Sequence, residues 1–148
     1  MIVRSATQAD HAALADLWFD SWMSIGIANE TDLTREEVRA RFYTEAATRW
    51  DLYTADDGGR LAGLLALVPG ESRIDQIFVD PAGKVKGVGR LLMAHAKQCL
   101  PDGIVLVTHT DNKRARAFYA HHGFTLDRTE DDPVHRRQKC HYVWRPED

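Results

Sequence analysis

Between Val79 and Leu92 the chain reads VDPAGKVKGVGRLL, gathering the cations Lys84, Lys86 and Arg90 around Gly87 and Gly89. Cations beside glycines that open a helix make a site for an anion. The free N–H groups and the positive end of the helix dipole face a phosphate, and glycine, having no Cβ, lets the backbone come close. The chain as a whole is acidic, with 19 Lys and Arg against 22 Asp and Glu and a formal charge of -3, so this is a local concentration of charge. A second stretch, DNKRARAFYAHHGF from Asp111 to Phe124, sets Asn112 and Tyr119 seven residues apart with Ala115 between them. Seven residues is close to two helical turns, so an amide, a small residue and a phenol share one helix face and suit a thin extended ligand.

The elements that must position these residues follow from periodicity. Ile2 and Val3 open a short strand, and Thr7 with Asp10 forms the pattern of a capping box before a helix to about Trp22. Ser24 to Leu33 breaks the pattern and reads as a loop. Thr34 with Glu37 starts a second helix, to about Thr48. Strands are expected at Leu52–Ala55, Leu61–Val68 and Arg73–Val79, separated by the DDGG and PGES turns. Gly87 to Cys99 returns to helical period, with Val88, Leu91, Leu92, Ala96 and Cys99 as one apolar stripe. GIVLVTHT reads as a strand buried on both faces, and the helix from Asn112 to His122 ends at Gly123. Two strands, Phe124–Asp127 and Cys140–Arg145, close the chain, joined by the polar segment RTEDDPVHRRQK. The order β-α-α-β-β-β-α-β-α-β-β predicts an α/β chain of mixed α+β type, a mostly antiparallel sheet flanked by about four helices.

Three phosphate-binding patterns compete for the glycine stretch. A P-loop needs GxxxxGK followed by Ser or Thr, which is absent, and a dinucleotide fingerprint needs a third glycine where Leu92 stands. The remaining pattern, Lys84-Val85-Lys86-Gly87-Val88-Gly89, resembles the signature of the GNAT superfamily of acetyl-CoA-dependent N-acetyltransferases. That signature runs Gln or Arg, two residues, Gly, one residue, Gly or Ala. Lys84 replaces the usual first residue, keeping a phosphate-seeking donor without the bidentate geometry of arginine. The later Asn, Ala, Phe-Tyr and Gly-Phe of Asp111–Phe124 match the same family, in the expected order.

The resemblance implies a GNAT fold and acetyl-CoA as cosubstrate. The amides of Val85, Lys86, Gly87, Val88, Gly89 and Arg90 would cradle the pyrophosphate of coenzyme A. Backbone groups of Ile77, Phe78 and Val79 would pair with pantetheine, and an amide there would stabilise the oxyanion. Asn112 would hydrogen-bond the pantetheine arm, and Tyr119 would be the general acid that protonates the departing thiolate. Many relatives carry a glutamate early on the strand Arg73–Val79. Here Asp75 is the nearest acid, expected on one face with Arg73, Ile77 and Val79, and is the candidate base. Its structural alternative is a carboxylate paired with Arg73. Tyr119 likewise has an alternative, a core tyrosine in the stripe Ala115, Phe118, Tyr119, His122.

Composition bounds the rest. At 148 residues, 44% hydrophobic and 28% charged, the chain reads as one globular domain over 1–148. Its acidic balance argues against nucleic acid as partner. No apolar run approaches the length of a membrane span, and Cys99 and Cys140 form no disulfide or zinc pattern. A cytoplasmic protein with two buried thiols is expected. The seven histidines make no HExxH or close ligand set, so no metal is expected; His109 and His141 occupy strand positions that could reach a cleft. By the resemblance, Ser24–Leu33 and Arg128–Lys139 form the acceptor pocket, with Trp18 and Trp22 just before the first. The expected reaction is acetyl transfer to a primary amine of a small molecule by direct attack. Alternatives are a peptide N-terminus or lysine as acceptor, or a non-catalytic acyl-CoA-binding sensor. The closing strands leave open a homodimer.

Overall fold

A computed structural model describes residues 1–25, 34–83, 85–134 and 137–146. Strand β1 (Ile2–Ser5) leads through a 3-10 turn, Gln8–Asp10, into α1 (His11–Ile25), and α2 spans Arg35–Thr48. Then come β2 (Asp51–Asp57), β3 (Arg60–Val68), β4 (Arg73–Val79), α3 (Val88–Cys99), β5 (Ile104–His109), α4 (Lys113–His121), β6 (Thr125–Asp132) and β7 (Arg137–Trp144). The strands form a seven-stranded sheet in the order β1-β2-β3-β4-β5-β7-β6. All pairings are antiparallel except that of β4 with β5. This is the mixed, mostly antiparallel architecture expected from the element order.

The helix starts follow their capping residues. The Thr34 hydroxyl accepts from the Glu37 amide at 3.1 Å, and Asp10 accepts from the Thr7 amide at 2.8 Å, each satisfying an amide that the helix cannot. Arg4 ties β1 to the α1 entry and to β2: it grips both oxygens of Asp10 and reaches Asp56 at 2.9 Å. Hydrogen bonding to this guanidinium holds the Asp10 carboxyl well below the usual carboxylate range.

β3 is the spine, with Leu64, Leu65, Ala66 and Leu67 wholly buried. Leu64, Ala66 and Val68 face a core built with α1 and α2, in which Phe42, Trp18 and Trp50 interlock at 5.4–5.9 Å between ring centres. Leu65 and Leu67 face the core under α3, which α4 extends through Tyr119. Full burial of each leucine contributes about 1.5–3 kcal/mol before the entropy of ordering it. α3 is buried along the row Val88, Leu92, Ala96, with Met93 beside it. Leu91 and Cys99, each three residues beyond a member of that row, turn to solvent, which narrows the expected stripe and makes Cys99 an exposed thiol.

The closing strands are longer than their apolar content suggested. β6 and β7 take in Arg128–Asp132 and Arg137–Lys139, so most of the polar segment expected as a loop is paired strand. Alternation with Cys140 and Tyr142, which face the core, carries these polar residues into the ladder. Residues 26–33, most of the expected Ser24–Leu33 loop, lie outside the described residues, as do Lys84, His135 and Arg136.

Candidate active site

The central feature is an opening in the sheet. β4 and β5 pair only at Arg73 with Val105, where the Val105 amide donates to the Ser72 carbonyl at 2.9 Å. Beyond that point β4 is laddered to β3 alone, from Ile74 to Val79. Its groups on the β5 side are left without a strand partner, a condition that needs another donor or acceptor. Val79 on β4 and Val107 on β5 flank the gap with 40% and 37% of their surface exposed. An apolar, hydrogen-bonding slot of this kind accepts an extended chain carrying amides.

β4 is also bulged. Ala66 pairs with Gln76 and Leu67 with Ile74, so Asp75 is the extra residue. The bulge breaks the alternation that would have put Asp75 and Ile77 on one face. Ile77 packs against the core under α3, whereas Asp75 turns to the α1/α2 side and accepts from the Trp50 indole at 2.7 Å. Phe78 packs on that same α1/α2 side. The expected pairing of Asp75 with Arg73 is replaced: Arg73 meets Glu71 at 3.2 Å, and the nearest cation to Asp75 is Arg49 at 3.7 Å. Trp50 escaped the sequence reading because nothing local links it to a residue 25 positions away.

From the end of β4 the chain turns on Asp80. Its side chain accepts from the Ala82 amide and its carbonyl from that of Gly83, both at 2.9 Å, while Arg60 holds its other oxygen at 3.1 Å. Gly87 follows as the N-cap of α3 with φ of 83°, a conformation that costs any residue with a Cβ. The Leu91 amide closes the first turn on the Gly87 carbonyl at 3.1 Å, leaving the earlier amides of the helix for a ligand. No acid stands in that first turn, and Val85, Lys86 and Arg90 are exposed around it. At Gly89 an added Cβ would stand 3.3 Å from the Phe118 ring, so this glycine brings the start of α3 against α4.

α4 supplies the remaining groups. Asn112 is its N-cap: Oδ1 accepts from the Ala115 amide at 3.2 Å, which leaves the side-chain NH2 as its available donor. Tyr119 is 9% exposed, packed among Phe118, Phe124 and Tyr142 with ring centres 5.7–5.9 Å away. Burial pushes its phenol well above the usual tyrosine range, so it stays protonated at neutral pH, the state a proton donor needs. Lys97 locks the two helices, donating to the His122 carbonyl at 2.6 Å. Desolvation, then the charges of Lys97, His121 and Arg90, lower the His122 pKa.

Among the described residues no three His, Cys, Asp or Glu gather as a metal site, and no helix is long and apolar enough to cross a membrane. Asp16, Asp20 and Asp80 line a cavity of about 340 Å³ beside α1, but Arg35, Arg39 and Arg60 are paired with them at 2.8–3.1 Å.

The opening between two parallel strands, followed along the chain by a glycine-capped helix start, is an arrangement that can receive an extended chain ending in phosphate. A sequence model of the Acetyltransferase (GNAT) family matches residues 11–124, and the chain belongs to that family. It is 32% identical over 103 residues to the mycothiol acetyltransferase of Beutenbergia cavernae, a match covering 63% of this chain and 34% of that protein. The chain thus spans about a third of the length of that curated relative. Among solved structures, it superposes on the PaiA N-acetyltransferase of Thermoplasma acidophilum in complex with coenzyme A with a TM-score of 0.74, at 16% identity over 97% of this chain and 98% of that one. The ribosomal-protein-S18-alanine N-acetyltransferase of Escherichia coli gives a TM-score of 0.70, at 17% identity over 97% and 92% of the two chains. The two solved structures, at 16% and 17% identity, carry the fold without an acceptor.

Proposed function

We propose that this chain is an N-acetyltransferase that moves an acetyl group from acetyl-CoA to the primary amine of a small molecule. The observation that carries this reading is the opening between β4 and β5, with the glycine-capped start of α3 following β4 and Tyr119 in the core under α3. The amides from Val85 to Arg90, with Lys84, Lys86 and Arg90, hold the pyrophosphate. The backbone groups of Ile77, Phe78 and Val79 that face the gap, on the side away from β3, pair with pantetheine, and the Asn112 NH2 donates to the same arm.

The neutral amine attacks the thioester carbonyl, forming the C–N bond, and an amide at the bulged strand stabilises the oxyanion. As the C–S bond breaks, Tyr119 gives its proton to the sulfur. The proton then shed by the new amide nitrogen restores the phenol. Asp75, at the bulge on the α1/α2 side, has Oδ2 engaged by Trp50, and its other oxygen draws in the ammonium. Two free thiols suit a reducing compartment.

Thermal stability with acetyl-CoA, ATP or NAD tests the donor. Acetyl-CoA alone should raise the melting temperature, and a shift with either nucleotide in its place would sink the reading. Release of free thiol from acetyl-CoA across a panel of amines separates an enzyme from a sensor, because a sensor binds without turnover.

A further inference from the structure

Resting on the acetyltransferase reading, we propose that His141 is the catalytic residue that takes the proton from the incoming ammonium, with Glu130 as its positioning residue. Cys140 and Tyr142 face the core under α3 and α4, so His141 between them points through the opposite face of the sheet. That face lies on the α1/α2 side, but the α1/α2 core includes no residue of β5, β6 or β7. Among the described residues it is a sheet face without a helix layer, reached from the same side as Asp75.

Register places His141 one strand from the opening, across β5. It pairs with Val107, the exposed β5 residue that flanks the gap, and on its other side with Arg128 of β6. Nε2 of His141 is shut off from solvent without a hydrogen bond, and Glu130 Oε1 stands 3.6 Å from it. With its proton on Nε2, toward Glu130, the ring carries a lone pair on Nδ1. The side chain is 20% exposed, so substrate has access to it. The imidazolium formed on accepting a proton is then held by the Glu130 carboxylate.

The surroundings leave His141 as the group suited to this work. Asp75 already accepts from Trp50 and lies 3.7 Å from Arg49, both on Oδ2. Of the other charged groups described on this face, Lys139 lies 3.6 Å from Asp132, Arg128 3.6 Å from Glu130 and Arg73 3.2 Å from Glu71; His109 stands at the far end of β5, opposite Lys139, and Arg137 on β7 opposite Asp132. Lysine and arginine, charged at neutral pH, accept no proton there. In the step itself one proton passes from the ammonium to Nδ1 and leaves to solvent after turnover, while the exchange with Tyr119 closes on itself.

The test compares two nucleophiles with His141→Gln, which keeps shape and polarity but cannot accept a proton. Alkylamines such as ethanolamine and benzylamine are ammonium ions at neutral pH, whereas hydroxylamine is largely uncharged and needs no base. Thiol release at pH 7 should fall about 10²-fold in kcat for the alkylamines and little for hydroxylamine, with the gap closing toward pH 10 as the amine ionises unaided. Glu130→Gln should lower kcat for the alkylamines while KM for acetyl-CoA and the hydroxylamine rate hold, a split that a merely structural role would not produce. The acetyl-CoA thermal shift should persist in both variants. An unchanged kcat with alkylamines, or an equal loss with both nucleophiles, overturns the inference. So does a selective alkylamine loss in Asp75→Asn instead, which leaves the acetyltransferase reading standing. Failure of the unaltered protein to release thiol with either nucleophile overturns both.

Discussion

The two sides of the opening between β4 and β5 are built in different ways. The proposed donor side is made of two short continuous stretches, Asp80–Arg90 and Asn112–Tyr119, in which turn, cap and helix follow one another along the chain. The proposed acceptor side is assembled from afar: Trp50 reaches Asp75 across 25 positions, and Glu130 meets His141 only because β6 and β7 pair. A site for an invariant cosubstrate can be fixed by local backbone geometry. A site for a variable one is made of side chains on strands and can change without disturbing the cradle.

Tyr119→Phe breaks the donor side at its most sensitive point. It removes one hydroxyl and leaves the aromatic cluster, so kcat should fall by about 10² to 10⁴-fold while acetyl-CoA affinity by calorimetry is retained. Next in size, Gly87→Ala places a Cβ at a φ of 83° in open space, so the cost is backbone strain of about 1–2 kcal/mol. Read as ligand affinity, the cradle should lose about tenfold for acetyl-CoA.

Asn112 allows a finer cut. Asn112→Ala should cost about 1 kcal/mol in denaturant unfolding through the lost cap. Asn112→Asp keeps that cap but loses the NH2 donor, so it should hold stability and raise KM for acetyl-CoA. An unchanged KM for acetyl-CoA in Asn112→Asp would make the residue purely a cap. The smallest effect is on pH. His95 and His122 are both lowered from 6.5, by desolvation first in each case. The folded state therefore binds fewer protons than the unfolded one between the lowered values and 6.5, and stability should fall as pH drops below about 6.5. Urea midpoints across pH 5–7.5 read this, and His122→Gln should flatten the slope.

The same local-versus-distant division decides what was legible in the sequence. The strand limits of β4, the start of α2 at Thr34 and the glycine-opened α3 follow from patterns spanning a few residues. The position of Asp75 did not, because a bulge exists only relative to the neighbouring strand. Leu91 and Cys99 were assigned to a buried stripe that tertiary packing left narrower. The closing strands were legible at their apolar ends, but their extensions over Arg128–Asp132 and Arg137–Lys139 hid within a polar run, because hairpin pairing and not apolar content draws those residues into the sheet. Nor does spacing along the chain bring His141 and Glu130 together; the hairpin register does.

The lone register pair joining β4 to β5 has a mechanical consequence. The sheet is two ribbons, β1-β2-β3-β4 and β5-β7-β6, joined at Arg73 and Val105 like a zipper fastened by one tooth. A pantetheine arm lying in the gap would serve as the missing strand, stitching the ribbons together. Amide exchange in β5 and β7 should then slow when acetyl-CoA binds, far from the pyrophosphate, making the cosubstrate a structural member of the fold that consumes it.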